Sequence, residues 1–341
     1  MGKEIILLLH LLANGIIAVA AIIGNLIIIL VFIKFKELQN INNAAITILS
    51  LNGFVQGIAA MVFRIPNQAR SYATILVVGE PMCTITGTLC AFTVFCCAMI
   101  LVLIALMRYF IIVPWKNVFL YFTRTKFIFA VLILFSVAAV ISTLPLMGVG
   151  RYRYSPGHGI CFTDWQDDEG TFRIIFYAVM IGSFLILLVC YTTLLVVVRK
   201  YNRDLVANDQ GSEGVSGDNA VIDLTNIEQQ GPKSEKSPSV LSGESYLNTV
   251  AHKRISSQEA QITKVVLVIL LTCLICWLPA TVVNVLALAK WANVSMEVKY
   301  VVTTLVELES AVNPIIYGVG NKNYRYAVKK VVQSIKSFFK V

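Results

Sequence analysis

Charge is scarce in this chain: of 341 residues only 14% are Asp, Glu, Lys or Arg, and they fall between long apolar runs. That shortage excludes an ordinary soluble domain, as does a hydrophobic share of 57% with a mean hydropathy of +0.76. Short segments of alternating hydrophobicity are missing too, which argues against a membrane β-barrel. There is no internal repeat and no matching pair of interrupted helices in two halves, so an ion transporter stays a runner-up from another class. No cysteine follows Cys276, which excludes a palmitoyl anchor on the C-terminal stretch.

What is present is a series of apolar runs at about 5–33, 43–63, 83–109, 127–149, 173–198, 262–289 and 299–320. Runs of roughly 20 apolar residues are what a spanning helix requires. Helices are the expected form because every backbone polar group must be satisfied within lipid. The predicted fold is therefore an all-α membrane protein, a seven-transmembrane-helix bundle. The first run is too long for the core of a signal peptide and lacks a small-residue cleavage site, so a retained anchor is expected. Lys34, Lys36, Arg108, Lys116, Arg124, Lys126, Arg199, Lys200, Arg203, Lys253, Arg254 and Lys264 share one side with the cations after Asn321. The other side holds Lys3, Arg64, Arg70, Arg151, Arg153, Arg173, Lys290 and Lys299, partly balanced by Asp164, Asp167, Asp168 and Glu169. Cation placement then puts the N-terminus outside and the C-terminus in the cytoplasm of a multi-pass plasma-membrane protein. The net charge of +9 follows from that topology and carries no implication of nucleic-acid binding.

Residues 1–199 divide into five helices with short loops, and 258–320 hold the last two. Between them, 200–257 is polar and rich in Ser, Gly, Asn, Gln and Glu, and is read as a disordered third cytoplasmic loop because it cannot bury enough surface to offset chain entropy. Within it, Lys253-Arg254-Ile255-Ser256 makes Ser256 a phosphorylation candidate. Asn293-Val294-Ser295 is a glycosylation sequon at Asn293, on the outer face. In 321–341, Val328, Val331, Val332, Ile335, Phe338 and Phe339 share a face bordered by Lys322, Arg325, Lys329, Lys330 and Lys336. That pattern predicts an amphipathic interfacial helix and tail with its cations against anionic lipid. Cys90, Cys96, Cys97, Cys190, Cys273 and Cys276 fall inside helices, where cysteine acts as a small apolar filler. Cys83 and Cys161 lie on the oxidising side and are expected to form a disulfide tying an outer loop to the top of helix three.

Several short patterns recur in order along the chain. They are Gly24-Asn25, Cys83, Arg108-Tyr109, Cys161, Cys190-Tyr191, Cys276-Trp277-Leu278-Pro279 and Asn313-Pro314-Ile315-Ile316-Tyr317. With this polarity and spacing the chain resembles a rhodopsin-like (class A) G-protein-coupled receptor, over all but the long inner loop. Glu259, Thr263 and Lys264 before Leu274-Ile275-Cys276-Trp277, and Tyr317 before Asn321-Lys322-Asn323-Tyr324-Arg325, are closest in flavour to opsins and melatonin receptors. The resemblance implies an extracellular ligand, of small-molecule size, and a heterotrimeric G protein as partners, with arrestin and receptor kinases as further ones. It implies no enzymatic step. An opsin-like receptor without its lysine, constitutively active, is the alternative reading.

The departures bear on mechanism. Glu307 stands seven residues before Pro314, where an opsin carries its retinal-binding lysine, and no lysine sits at mid-membrane depth, which argues against retinal. Cys90 stands where aminergic receptors have an aspartate. The resemblance makes Cys90, Trp277 and Glu307 candidates for the ligand pocket. Glu307 could meet a cationic ligand, act as a neutral donor, or bond to His10 or a backbone carbonyl. Arg108, Glu259, Tyr191, Trp277, Pro279, Asn313, Pro314 and Tyr317 form the implied activation switch, with an Arg108–Glu259 latch. Met107 replaces the acid usual beside that arginine, so appreciable basal activity is expected. Asn52 replaces the aspartate of the family's sodium site, while Glu309 lies one turn before Asn313. A mid-membrane acid costs about 3 kcal/mol on insertion scales. Asn25, Asn52, Cys97, Glu309 and Asn313 are thus read as a polar core holding a sodium ion or a proton, or as a protonated Glu309 bonded to Asn52. Ser183 replaces the proline of helix five, and helix four lacks a tryptophan.

Overall fold

The structure, a computed structural model, describes residues 2–66, 80–112, 123–155, 160–163, 170–212, 257–288 and 294–338. Seven long helices follow the apolar runs: α1 Gly2–Lys34, α2 Ile41–Ala59, α3 Glu80–Ile112, α4 Arg124–Thr143, α5 Thr171–Ser212, α6 Ser257–Leu288 and α7 Met296–Gly320. A short α8, Lys322–Phe338, follows α7. Their starts are written in capping residues. Asn40, Thr123 and Ser295 each accept a bond from the backbone N–H three residues on, meeting one of the orphan donors of a helix N-terminus. Asn321 breaks α7 from α8, and its Oδ1 accepts from the N–H groups of Asn323 and Tyr324.

Six of the helices are apolar enough to cross a bilayer by composition alone, and α7 falls short of that standard. Glu307, Glu309, Asn313 and Pro314 dilute its hydropathy, and it is nonetheless packed into the bundle with Glu309, Ser310, Asn313 and Tyr317 buried. α3 is the most enclosed of the six and α4 the least, as expected for a central and a peripheral helix. The core runs along α3 from Ala91 to Met107 and gathers Ile28 and Val31 of α1, Leu49 of α2, Phe176 and Leu194 of α5, and Ile269 and Trp277 of α6. Outward faces carry Leu, Ile and Val in the open, such as Ile16, Ile133, Val196 and Ile275, which suits contact with lipid rather than water.

α5 extends to Ser212, beyond residue 199 where the sequence pattern ends it. Loss of apolar residues does not stop a helix that is already nucleated, because each further residue adds a hydrogen bond. The rest of the third inner loop with Ser256, and Asn293 of the sequon, lie outside the described residues. In α5 the Ser183 hydroxyl donates to the Val179 carbonyl at 2.8 Å, so a bond one turn back is made where a proline would remove one.

β1 Tyr152–Ser155 and β2 Ile160–Thr163 form an antiparallel hairpin over the bundle. The Cys83–Cys161 disulfide fastens β2 to the top of α3, with Cα atoms 5.3 Å apart. Tyr152 seats the other strand: its hydroxyl donates to the Ser142 carbonyl at 2.7 Å, and its ring lies where Gly87 leaves no Cβ. Burial pushes this phenol above its ordinary pKa, keeping it a donor. In α8, Tyr324, Ala327 and Val331 turn into the protein, while Lys322, Arg325, Lys329 and Lys330 face out.

Candidate ligand cavity and polar core

Under the hairpin lies a cavity of about 120 Å³. β2 contributes Ile160, Cys161 and Phe162, and the walls come from α2, α3, α5, α6 and α7. Cys90, Trp277 and Glu307, from three different helices, all line it. Thr86, Thr93, Thr281, Thr303, Gln56 and Asn284 add polar groups to a wall that is otherwise aromatic and aliphatic. Phe162 and Phe176 meet edge to face at 5.4 Å, and Phe176 in turn packs on Phe95, so the hairpin is continuous with the bundle core.

Glu307 does not bond to His10. It forms an ion pair with Arg64, a residue read from the sequence only as an outer cation. Arg64 ends a widened, π-helical turn, Ala60–Arg64, at the close of α2. Such turns occur mostly as single irregularities and often at functional sites. The Arg64 guanidinium also reaches the Cys90 sulfur at 3.8 Å. His10 is held elsewhere, by Asn14 at 3.1 Å and the Thr304 hydroxyl at 2.8 Å, with its ring stacked on Tyr300. The sequence signal for the ion pair was the mid-membrane acid itself, because such a charge requires a partner.

Below the cavity, Glu309 is 1% exposed. Asn313 Nδ2 donates to Glu309 Oε1 at 2.6 Å, and the Cys97 thiol approaches both carboxylate oxygens at 3.6 and 3.7 Å. Trp277 is a further neighbour of this carboxylate. Asn52 is not bonded to Glu309: its amide donates to the Thr93 carbonyl of α3 at 3.1 Å. Asn25 donates to the carbonyls of Ala21 and Ser310 at 2.8 and 2.9 Å, tying α1 to α7. Among the described residues, the side-chain oxygens of Asn25, Asn313, Ser50 and Tyr317 are buried without a hydrogen-bond partner. Gly24 lets the Pro314 ring come so close that a Cβ on it would lie 3.1 Å from the ring's own Cβ.

At the inner end Arg108 is 2% exposed, beside Met107, Ile104, Ala45, Ile46 and Val266. Tyr191 is buried within electrostatic reach of it. Pro279 and Pro314 both stand inside their helices, α6 and α7. The Glu259 backbone belongs to α6, and its side chain lies outside the described residues, as does any latch through it.

Residues 24–317 match the family described as 7 transmembrane receptor (rhodopsin family). G-protein coupled receptor moody of Drosophila melanogaster is 34% identical over 127 residues, 37% of this chain but only 18% of moody's length. Neuropeptide Y receptor type 6 of Mus musculus is 24% identical over 94% of this chain and 79% of its own. Among solved structures, squid rhodopsin superposes with a TM-score of 0.70 over 93% of this chain and 78% of the squid chain, at 20% identity. That last likeness speaks for the fold.

Proposed function

The chain belongs to the rhodopsin family of seven-transmembrane receptors, and from that premise we propose that it is a plasma-membrane G-protein-coupled receptor, with its N-terminus outside and its C-terminus in the cytoplasm. An extracellular ligand would enter the cavity under the hairpin. A shift of α6 and α7 would then open an inner crevice for a heterotrimeric G protein. The observation that carries this reading is the position of Trp277, which lines the cavity and also neighbours the Glu309 carboxylate. A ligand pressing on that indole acts on the polar core directly. It shifts the balance only by binding one arrangement better than the other.

The prolines give the movement a place to occur. Pro279 and Pro314 each remove one backbone hydrogen bond from the interior of a helix, so bending there breaks fewer bonds. Asn313 joins Pro314 to Glu309, and Gly24 lets α1 follow the Pro314 ring closely. Glu309 is the group that would hold a sodium ion or a proton. Oxygens suit a hard cation, and the unbonded oxygens of Asn25 and Asn313 fit that role. Arg108, Tyr191 and Tyr317 would rearrange at the inner face, where arrestin and receptor kinases would also act, and the cations of α8 would rest on anionic lipid.

The test is nucleotide exchange on purified heterotrimeric G proteins by the receptor in nanodiscs. Exchange above that of empty nanodiscs is expected for at least one G-protein class. Trp277→Ala and Asn313→Ala should each change it by about tenfold, the equivalent of ~1.4 kcal/mol in the balance of states. Absence of exchange with every class would overturn the reading.

A further inference from the structure

The cavity wall holds two opposite charges that are already spent on each other. Arg64 and Glu307 form their ion pair with both side chains 14% exposed. Both line the cavity, and their charges cancel. Among the described residues, the other titratable groups near the pair are the Cys90 thiol, at 3.8 Å from the guanidinium, and the His10 ring, which Asn14 and Thr304 hold. Arg64 Nε is buried and donates to nothing among the described residues.

This arrangement discriminates among ligand charges. A simple cation drawn to Glu307 would strand the guanidinium. A simple anion drawn to Arg64 would strand the carboxylate. A buried charge that loses its partner is strongly unfavourable. A molecule with an ammonium and a carboxylate does neither, because each protein charge exchanges one partner for another. The guanidinium suits the anionic half, since its planar fork and spare Nε–H match two carboxylate oxygens. Size adds a second limit. The cavity, at about 120 Å³, is smaller than the roughly 150 Å³ cavity that accommodates benzene. The rest of the wall offers Phe63, Val94, Met180, Trp277 and Val306 to a compact apolar group.

We propose that the cavity takes a small zwitterion of the free amino-acid class, its carboxylate on Arg64 and its ammonium on Glu307. The inference rests on the reading of this cavity as a receptor's ligand site. The experiment uses full-length receptor in nanodiscs and follows its melting temperature with a panel of free amino acids, including glycine, alanine, valine, β-alanine and γ-aminobutyrate. Each is compared with its N-acetyl form, which lacks the cation, and its amide, which lacks the anion. At least one free amino acid should raise the melting temperature, and both blocked forms should need about tenfold or more higher concentration for the same shift. In Glu307→Gln the N-acetyl form should overtake its parent, and in Arg64→Gln the amide should. The proposal is overturned if no zwitterion shifts the wild-type receptor, or if the blocked forms match their parents there. Nucleotide exchange on the same preparations separates the two readings: exchange without zwitterion binding sinks the ligand class alone, and loss of exchange sinks the receptor reading.

Discussion

Glu309 is buried in the bundle with one amide and one thiol as its hydrogen-bond partners among the described residues, and Trp277 nearby. If it exchanges a sodium ion or a proton, Glu309→Gln removes the charge and keeps the bond to Asn313. Basal nucleotide exchange by the variant should then lose its dependence on sodium and pH, while the wild type keeps it. Equal dependence in both would remove Glu309 from the role. Gly24 allows a second test at this scale. A side chain there would crowd Pro314, with Cβ atoms 3.1 Å apart, and overpacking costs about 1–3 kcal/mol. Gly24→Val should lower the melting temperature clearly, and Gly24→Ala by less. The sequence marked Gly24-Asn25 as a motif, but not why glycine is needed, because the proline ring it accommodates is 290 positions away. Asn52 shows the same limit. Its type pointed to the polar core, and its bond to the Thr93 carbonyl depends on how α2 lies against α3.

Among the elements, all seven long helices were legible as apolar runs, though α7, diluted by its polar residues, misses the hydropathy standard the other six meet. The hairpin was not foreseen as a pair of strands; only the disulfide that fastens it was. The end of α2 was the least readable part, since no residue pattern announces the π-helical turn that carries Arg64 to Glu307. α8 was expected from its period, yet its anchor is an aromatic residue left out of the apolar face drawn from sequence. Tyr324 is 0% exposed, and burial pushes its phenol up to about 12. An unfolded tyrosine ionises near pH 10, so the stability Tyr324 adds is full below that pH and falls as pH rises towards 12, by on the order of 2 kcal/mol. Melting temperatures at about pH 9 and about pH 11.5 should therefore diverge less in Tyr324→Phe than in the wild type.

For the molecule as a whole, we propose that the resting balance between arrangements is set by charges placed differently from the family pattern. Met107 is buried against the core beside Arg108. Met107→Glu would give that arginine an adjacent carboxylate, and basal nucleotide exchange should drop by about tenfold if the pair favours the resting state by ~1.4 kcal/mol. An unchanged or higher rate would show that Arg108 is not what limits activation. The length of α5 has a mechanical consequence. The apolar run of α5 ends before Arg199 and the helix continues to Ser212, so at 1.5 Å per residue about 21 Å of helix follows the last apolar residue of that run. A swing of about 10° at the membrane exit would carry the tip by about 4 Å. On the receptor reading proposed above, the far, cytoplasmic end of that helix would work as a lever arm, enlarging a small tilt into a displacement that a spin label near residue 210 could measure.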